Sequence, residues 1–275
     1  MSQRSILITG CSSGIGLASA RMMKARGWRV LATARTPEDL AMLEREAGVE
    51  SLPLELTDLD SVAACADEAL SRTGGHLFAL FNNAAFGQVG AVEDLSADVL
   101  NRQLLTNVVA QHELARRIIP SMRRAGEGRI VQCSSVLGLV AVPFRGAYCA
   151  SKFALEALSD AMRLELLGSG VCVSIIEPGP IRTRFVERAL ANFKLTVDID
   201  ASPHRDAYRM RLAAMEAGGK AAFKLEPDSV AFKLVRAVES RRPRRRYYVT
   251  LPTYLAAFMK RAAPPAVGEW FVRKM

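Results

Sequence analysis

The stretch Ser5-Ile-Leu-Ile-Thr-Gly-Cys-Ser-Ser-Gly-Ile-Gly16 decides the fold, because it joins an apolar run to closely spaced glycines. Residues 5–9 are typical of a buried strand, and the apolar spacing over 14–26 predicts a helix directly after the glycines. Glycines allow a tight turn and a close backbone approach to a pyrophosphate, which the positive end of the helix then binds. The stretch therefore predicts a dinucleotide-binding loop, and the missing Gly-Lys-Ser/Thr ending argues against a P-loop triphosphatase.

Apolar, β-branched runs alternate with segments of helical apolar spacing through most of the chain. The strand-like runs are 5–9, 28–34, 51–56, 77–82, 128–133, 171–176 and 247–251. The helix-like segments are 14–26, 38–47, 59–72, 97–123, 147–168 and 227–239, and Thr36-Pro37 is typical of a helix start. This alternation predicts an α/β fold, a Rossmann-type doubly wound parallel sheet of about seven strands with helices on both faces.

The composition excludes several classes of protein. Half of the 275 residues are hydrophobic and 24% are charged, which suits a sizeable core and excludes a disordered chain or a disulfide scaffold. The five cysteines show no CxxC spacing, so we interpret them as reduced core thiols and expect a cytoplasmic protein. The N-terminal apolar run is too short for a signal peptide, and no apolar stretch reaches the roughly 18 residues of a spanning helix.

The end of the second strand-like run bears on the choice of nucleotide. A carboxylate there would bind the adenosine ribose of NAD, but the sequence reads Ala32-Thr-Ala-Arg-Thr36. The guanidinium of Arg35 can pair with a 2′-phosphate, and we expect no acidic side chain to oppose it. The sequence thus favours NADP(H), with a solvated loop cation as the alternative interpretation of Arg35.

Tyr148 and Lys152 lie at the start of a predicted helix, where their i, i+4 spacing puts the phenol and the ammonium on one face. A nearby cation lowers a tyrosine pKa from its usual value of about 10, so the pair can exchange a proton at an alcohol or carbonyl carbon. Ser135 closes the preceding strand, which predicts that it shares the ligand-binding edge of the sheet with Tyr148. Asn107, inside the predicted helix 97–123, can bind backbone or water.

Six motifs jointly resemble the short-chain dehydrogenase/reductase family, and within it the members similar to hydroxysteroid and retinol dehydrogenases. The motifs are TGCSSGIG at 9–16, NNAA at 82–85, Asn107, Ser135, YCASK at 148–152 and PGPIRT at 178–183. The resemblance implies that Tyr148 is the general acid/base and that Lys152 lowers its pKa and holds the cofactor ribose. It also implies that Ser135 binds the substrate oxygen and that Asn107 holds a water in a proton relay.

The resemblance, together with the argument on Arg35, gives a set of expected cofactor contacts and no metal site. These contacts are Gly10, Ser12, Ser13, Gly14, Ile15, Gly16, Arg35, Glu55, Leu56, Asn83, Ala84, Tyr148, Lys152, Pro178, Gly179, Ile181 and Thr183. Two positions depart from the family pattern. Ala85 stands where the family has glycine, and Glu55 stands where an aspartate usually contacts the adenine amine.

We predict one catalytic domain, 1–275, that contains two less regular parts. Residues 185–225 lack strand signals and mix aromatic residues and methionines with charges, which indicates a substrate-binding insertion over the ligand edge. This favours a lipophilic substrate (a steroid, retinoid or long-chain aldehyde), with plain core packing as the alternative. Residues 252–275 form a basic amphipathic extension, and either peripheral membrane contact or packing as a pocket lid would explain its aromatic residues beside cations.

Basic residues are concentrated near the C-terminus. Residues 203–275 hold 16 Lys/Arg against 6 Asp/Glu, with RRPRRR at 241–246 at the centre. An anionic partner and a solvated basic face both explain this excess, but no RNA-recognition aromatic motif accompanies it, so we expect no nucleic acid. His76, His112 and His204 match neither a Ser-His-Asp triad nor a zinc site.

The sequence therefore predicts an NADP(H)-dependent oxidoreductase that interconverts an alcohol and a ketone or aldehyde. The alternative is a non-catalytic dinucleotide-binding redox sensor, which would have no need of the complete set Asn107, Ser135, Tyr148 and Lys152. Apolar residues on more than one face of 97–123 and 147–168 predict a homo-oligomer, a dimer or tetramer. They include Val108, Val109, Leu114, Ile118, Phe153, Leu155, Leu158, Met162 and Leu166.

Overall fold

A single parallel sheet organises the molecule. The computed structural model describes residues 3–216 and 224–262, and within them the sheet has seven strands. They are β1 Ser5–Ile8, β2 Arg29–Ala34, β3 Glu50–Pro53, β4 Ala79–Asn82, β5 Gly128–Cys133, β6 Val171–Glu177 and β7 Arg246–Tyr248. Their order is β3-β2-β1-β4-β5-β6-β7, so the winding reverses between β1 and β4. The predicted doubly wound parallel sheet is confirmed.

Helices connect the strands through crossovers. Those in the described residues are α1 Gly14–Ala25, α2 Pro37–Ala47, α3 Leu59–Arg72, α4 Ala97–Leu104, α5 Ala110–Ala125, α6 Gly146–Glu165, α7 Phe185–Thr196, α8 Arg205–Glu216, α9 Asp228–Glu239 and α10 Leu251–Ala262. The start of α2 is as predicted, because the Thr36 hydroxyl accepts a hydrogen bond from the Asp39 amide at 3.2 Å and Pro37 follows the cap.

Alternate strand residues pack against helices on opposite faces of the sheet. In β1, Ile6 and Ile8 join a buried cluster with residues of α1, α2 and α9. Leu7 points the other way, into a second cluster with residues of α3, α5 and α6. All residues of β1 are buried, as expected for the central strand of a sheet that is covered on both faces.

Three predicted elements differ from the structure. The predicted helix 97–123 contains a π turn, Leu105–Val109, between α4 and α5. The third strand ends at Pro53 rather than at residue 56, because after Leu54, whose amide still donates to the Ala34 carbonyl, the Glu55 amide turns to the Ser61 hydroxyl of α3. The last strand ends at Tyr248 rather than at residue 251, since Leu251 and Pro252 already begin α10, and proline suits the first turn of a helix.

The segment 185–225 contains α7 and α8, which share a small core of their own. Phe193 and Tyr208 are each 1% exposed and pack with Ala189, Val89 and Ala91. Core packing therefore accounts for these two aromatic residues, whereas two other apolar members of the segment, Leu195 and Met210, are exposed. The Met215 side chain and Phe223 lie outside the described residues.

The C-terminal extension is described as far as residue 262, within α10, so the predicted cluster around Trp270 lies outside the described residues. Tyr254, Leu255 and Phe258 on α10 are 50%, 41% and 68% exposed, while Ala256 and Ala257 face the protein. Within the described ranges, no helix combines the length and hydropathy that a membrane span requires.

The basic stretch 241–246 is not solvated throughout. The side chain of Arg246 is only 20% exposed, and it forms ion pairs with Glu156, Asp160 and Glu177. The interpretation of the stretch as a wholly solvated face is therefore wrong for Arg246.

Candidate active site

The carboxyl edge of the sheet carries the predicted site residues. The glycine loop follows β1, Arg35 follows β2, Asn83 follows β4, Ser135 follows β5, and the segment 178–183 follows β6. Because the carboxyl ends of parallel strands share one edge, these elements meet where ligands bind in doubly wound folds. The topology brings together residues that lie as far apart as 10 and 183 in the chain.

The glycine loop leads into the N-terminus of α1 without covering it with side chains. A Cβ atom at Gly16 would lie 2.1 Å from the carbonyl oxygen of Gly10, and Gly14, with φ of +56°, faces Thr183. Ser13 is the N-cap of α1 but makes no side-chain hydrogen bond to it, and the first turn carries no acidic residue. The N–H groups and positive dipole end of α1 are thus left for an anion, which fits the pyrophosphate of a dinucleotide.

The loop after β4 is fastened to the glycine loop. The hydroxyl of Thr9 accepts from the amides of Asn83 and Ala84, both at 2.9 Å, and the Asn83 side chain donates to the Thr9 carbonyl at 2.9 Å. Among the described residues Phe144 alone combines a positive φ with a side chain, so Ala85 adopts an ordinary backbone conformation. The alanine is therefore compatible with this turn.

A row of buried amide side chains holds the rest of that loop. Gln103 donates to the Phe86 carbonyl at 2.9 Å, and Gln111 donates to the Ala84 carbonyl at 2.7 Å. Between them, Asn107 in the π turn both donates to the Phe86 carbonyl and accepts from the Phe86 amide. Its amide also donates to the Ser151 hydroxyl at 3.1 Å, which links the loop to α6. A π turn in the middle of a helix often marks a functional position.

Tyr148, Ser135 and Lys152 meet at the junction of β5 and α6. The Ser135 side chain lies close enough to the Tyr148 phenol to lower its pKa. The ammonium of Lys152 donates to the Cys133 carbonyl at 2.8 Å and lies 5.7 Å from the centre of the Tyr148 ring. All three groups that sequence analysis expected to share this edge are therefore neighbours.

Burial dominates the electrostatics of this group. It raises the pKa of Tyr148 above its usual range, and the nearby Ser135 only partly offsets this. It also lowers the pKa of Lys152, whereas the charge of Glu156 acts in the opposite direction. The expected lowering of the Tyr148 pKa by Lys152 is thus not what this structure has; the phenol is held in its protonated form.

The first residue of α7 covers the phenol. The ring of Phe185 meets the ring of Tyr148 edge to face, with 5.5 Å between their centres. Gly87 makes room for this contact, because a Cβ atom there would lie 2.8 Å from the Phe185 ring. An aromatic side chain of the segment 185–225 therefore forms part of the wall around Tyr148.

The adenosine end of the site corrects the expectation that no acidic side chain opposes Arg35. Glu55 does oppose Arg35, since its carboxylate lies 3.8 Å from the guanidinium, and it also accepts from the backbone and hydroxyl of Thr57. The side chain of Leu56 is buried in the cluster that contains Val62, so it faces the core. Only the backbone of Leu56 can therefore contact a ligand.

The loop after β6 is braced on three sides. Pro178 accepts from the Val136 amide at 2.8 Å, and Ile181 forms a bridge with Leu225. A Cβ atom at Gly179 would lie 2.0 Å from the Thr250 hydroxyl. Within the described ranges, no group of three His, Cys, Asp or Glu residues is arranged to hold a metal ion.

A family model described as short chain dehydrogenase matches residues 4–192, which is more than half of the chain. The chain belongs to the short-chain dehydrogenase family. The matched region of this short-chain dehydrogenase contains every predicted catalytic and cofactor-binding residue.

The comparison with curated proteins extends the relationship to nearly the whole chain. An uncharacterized oxidoreductase, YbbO of Escherichia coli strain K12, is 42% identical over 97% of this chain and 93% of its own length. Human 17-beta-hydroxysteroid dehydrogenase type 1 is 34% identical over 91% of this chain and 78% of its own length.

Solved structures have the same fold. A short-chain dehydrogenase from Streptomyces avermitilis is 27% identical, covers 98% of this chain and 96% of its own, and superposes with a TM-score of 0.81. A metagenomic short-chain oxidoreductase in complex with NADP is 27% identical, with 90% and 96% coverage and a TM-score of 0.70. A family member from Burkholderia phymatum in complex with NAD is also 27% identical, with 93% and 91% coverage and a TM-score of 0.77.

Sequence reasoning missed the residues that support this site. They are Thr9, Phe86, Gln103, Gln111 and Ser151. The amides at 103, 107 and 111 recur every fourth position in a helix, a pattern that could have indicated one polar row facing the protein. No sequence signal pairs Ser151 with Asn107, because that contact depends on how α6 packs against the π turn.

Proposed function

We propose that this short-chain dehydrogenase is an NADP(H)-dependent oxidoreductase that interconverts an alcohol and a ketone or aldehyde. The observation that carries the proposal is the grouping of Tyr148, Ser135 and Lys152 at the carboxyl edge, where the Lys152 ammonium lies 5.7 Å from the centre of the Tyr148 ring. Two relatives with oxidoreductase and dehydrogenase names, matched over nearly the full chain, support it.

In this proposal Tyr148 is the general acid/base. A phenol that burial keeps protonated is suited to donate its proton to a carbonyl oxygen, which Ser135 would hold by a second hydrogen bond. Lys152 would bind the cofactor ribose and assist Tyr148, and Asn107 would hold a relay water. The contacts of Asn107 to Phe86 and Ser151 also give it a positioning role. The nicotinamide, when bound, supplies or accepts the hydride.

The choice of NADP(H) depends on Arg35. Its side chain is 65% exposed, and the nearby Glu55 carboxylate at 3.8 Å is 41% exposed, so a 2′-phosphate can displace this weak surface pair. Structural relatives have been solved with NADP and with NAD, and the guanidinium supports the former for this chain.

The substrate is proposed to be lipophilic, such as a steroid, retinoid or long-chain aldehyde. Support comes from the Phe185 ring against Tyr148 and from the resemblance to a hydroxysteroid dehydrogenase. We assign one domain to 1–275, with 185–225 as the substrate-binding insertion.

Assembly into a dimer or tetramer is also part of the proposal. Val109 on the π turn and Phe153, Leu158 and Leu164 on α6 are 42%, 38%, 40% and 58% exposed. Such apolar side chains on adjoining helices gain free energy when a second copy covers them. The exposed apolar side of α10 leaves peripheral membrane contact as a further proposal, and we propose no nucleic-acid partner.

A spectrophotometric screen tests the function. Purified protein is mixed with NADPH or NADH and with ketones and aldehydes of graded chain length, and nucleotide oxidation is followed. We expect turnover that rises with the apolar length of the substrate and is faster with NADPH. Tight NADPH binding without turnover on any carbonyl compound would instead favour the redox sensor.

A further inference from the structure

A buried charged cluster lies along α6, one turn beyond Lys152. One guanidinium nitrogen of Arg246, Nη1, donates to Oε2 of Glu156 and, at 2.6 Å, to Oε1 of Glu177. The other, Nη2, donates to Asp160 at 2.7 Å. The side chains of Glu156 and Glu177 are 7% and 0% exposed, whereas that of Asp160 is 41% exposed. Two deeply buried carboxyl groups therefore share a single guanidinium nitrogen.

Each of the two glutamates has a second oxygen that finds no partner among the described residues. Oε1 of Glu156 and Oε2 of Glu177 are both buried, as is the unpaired hydroxyl of Ser134. Ser134 and Glu156 both pack against Gly138, since a Cβ atom there would lie 2.7 Å from the hydroxyl and 3.2 Å from Oε1. An ionised carboxylate with an unpaired buried oxygen is costly, and a proton on one oxygen removes a charge and creates a donor.

Three carboxyl groups meet in the cluster around Glu177 and face two cations, Arg246 and Lys260. Glu156 and Asp160 face the cluster from α6, Arg246 and Tyr248 from β7, and Lys260 from α10. Burial and the charge of Glu156 raise the pKa of Glu177 to about 8, against the opposing charges of Arg246 and Lys260. Because Glu156 and Glu177 are both buried and share Nη1 of Arg246, one proton between them would relieve the excess of negative charge.

We propose that Glu156 and Glu177 form a buried acid pair that shares one proton at neutral pH and acts as a positioning site for Lys152. Lys152 is 1% exposed, and its ammonium donates to a backbone carbonyl, that of Cys133, at 2.8 Å. Glu156, one helical turn away, is the carboxyl group whose charge stabilises it. The state of the acid pair therefore sets the field at Lys152; this second half of the proposal rests on the proposed function.

Infrared difference spectroscopy tests the shared proton without reference to catalysis. We expect the wild-type protein to show a protonated-carboxyl band that disappears as the pH rises through the raised pKa of Glu177, about 8. Glu177→Gln should remove the band, and so should Glu156→Gln if the first variant folds poorly. Asp160→Asn is the matched control, because it neutralises a half-exposed carboxylate on the same arginine and should keep the band. A wild-type protein without the band, or a band that survives both glutamine variants, overturns the proposal.

Thermal unfolding gives a second measurement. A carboxyl group whose pKa is raised in the folded state contributes stability below its unfolded-state pKa and loses it as the pH rises through the folded value. For Glu177 this window ends at about 8, so the melting temperature of the wild type should fall across it. Glu177→Gln should flatten the fall, and Asp160→Asn should keep it. Parallel curves for the wild type and Glu177→Gln contradict the acid pair.

The role toward Lys152 is read from the pH profile of kcat. The alkaline limb is expected to follow deprotonation of Lys152. Loss of the shared proton adds negative charge near Lys152 and raises its pKa. Glu177→Gln prevents this rise, so the limb should move to lower pH by about one pKa unit. An unchanged limb beside a positive infrared result overturns the positioning role and leaves the acid pair standing. If the protein shows no dehydrogenase activity, the proposed function is wrong. The infrared and melting measurements still show whether Glu156 and Glu177 share a proton.

Discussion

Two successive parts of α6 treat a buried cation differently. In the first part, Lys152 donates to a carbonyl oxygen, and burial lowers its pKa. In the next two turns, Glu156 and Asp160 help to surround Arg246. Burial works against the charge of Arg246 as well, but Glu156 and Glu177 outweigh it and raise its pKa.

This difference between Lys152 and Arg246 distinguishes a residue of the active site from one that stabilises the fold. A charged group without a carboxylate partner remains free to interact with a ligand, and its loss should change turnover more than stability. A charged group with carboxylates on both terminal nitrogens has its interactions filled by the fold, and its loss should change stability first. Substitutions in the two parts of α6, and at the edge of the site, can break or sharpen this comparison.

Tyr148→Phe should have the largest effect on activity. It removes the proton donor and keeps the ring against Phe185, so turnover should fall by roughly 10²–10⁴-fold while NADPH binding and the melting temperature stay close to wild type. Steady-state kinetics and nucleotide fluorescence measure both. Tyr254→Phe, at a half-exposed tyrosine of α10, is the control. If more than a tenth of the activity remains, Tyr148 is not the acid/base.

Arg246→Met should have the largest effect on stability. It leaves Glu156 and Glu177 buried without their cation, which typically costs about 3–5 kcal/mol in the free energy of unfolding. Urea unfolding measures the loss. Arg163→Met, which removes a partner of Asp160 only, should cost much less. Equal losses in the two variants would contradict the contrast between the halves of α6.

Arg35→Asp should change cofactor preference at the edge of the site. Repulsion of a 2′-phosphate should lower the preference for NADPH over NADH by roughly 10²-fold. Glu55→Gln should act in the opposite direction by a few-fold, because it removes the carboxylate that competes for Arg35. Nucleotide titrations report both, and a wild-type protein that binds NADH as tightly as NADPH refutes this role of Arg35.

A substitution on the exposed side of α6 should have the smallest effect of the four, and the effect should be on the oligomeric state. Light scattering is expected to show a dimer or tetramer, and Leu158→Glu should shift it toward smaller species by placing a charge in the covered face. Phe232→Glu, at an equally apolar but separate position on α9, should leave the mass unchanged. A monomer at micromolar concentration in the wild type removes the basis for the oligomer.

The sequence was sufficient for the elements with strong local signals. The glycine loop and the alternation of strands and helices predict a doubly wound parallel sheet, because crossover rules leave few alternatives. The edge position of Ser135 and Tyr148 follows from that order. These signals are local, and parallel topology converts them into one site.

Contacts between distant segments could not be predicted in this way. Glu55 is 20 residues from Arg35, and the pair forms because β2 and β3 are neighbours and end together. Arg246 looked like part of a basic surface, because nothing in RRPRRR shows that its last residue starts a strand beside Glu177. Phe185 meets Tyr148 only through the placement of α7.

The π turn at Leu105–Val109 determines how Gln103 on α4 and Gln111 on α5 are oriented around the common helix axis. In an unbroken α-helix each residue turns by about 100°, so Gln103 and Gln111 would point roughly 80° apart. The π turn accommodates one additional residue, which reduces the rotation between Gln103 and Gln111 by about 100°. The two amides then point within about 20° of each other. Deleting a single residue here would keep the helix but swing Gln111 away from the Ala84 carbonyl. A relative one residue shorter at this point must therefore hold its loop after β4 by a different set of side chains.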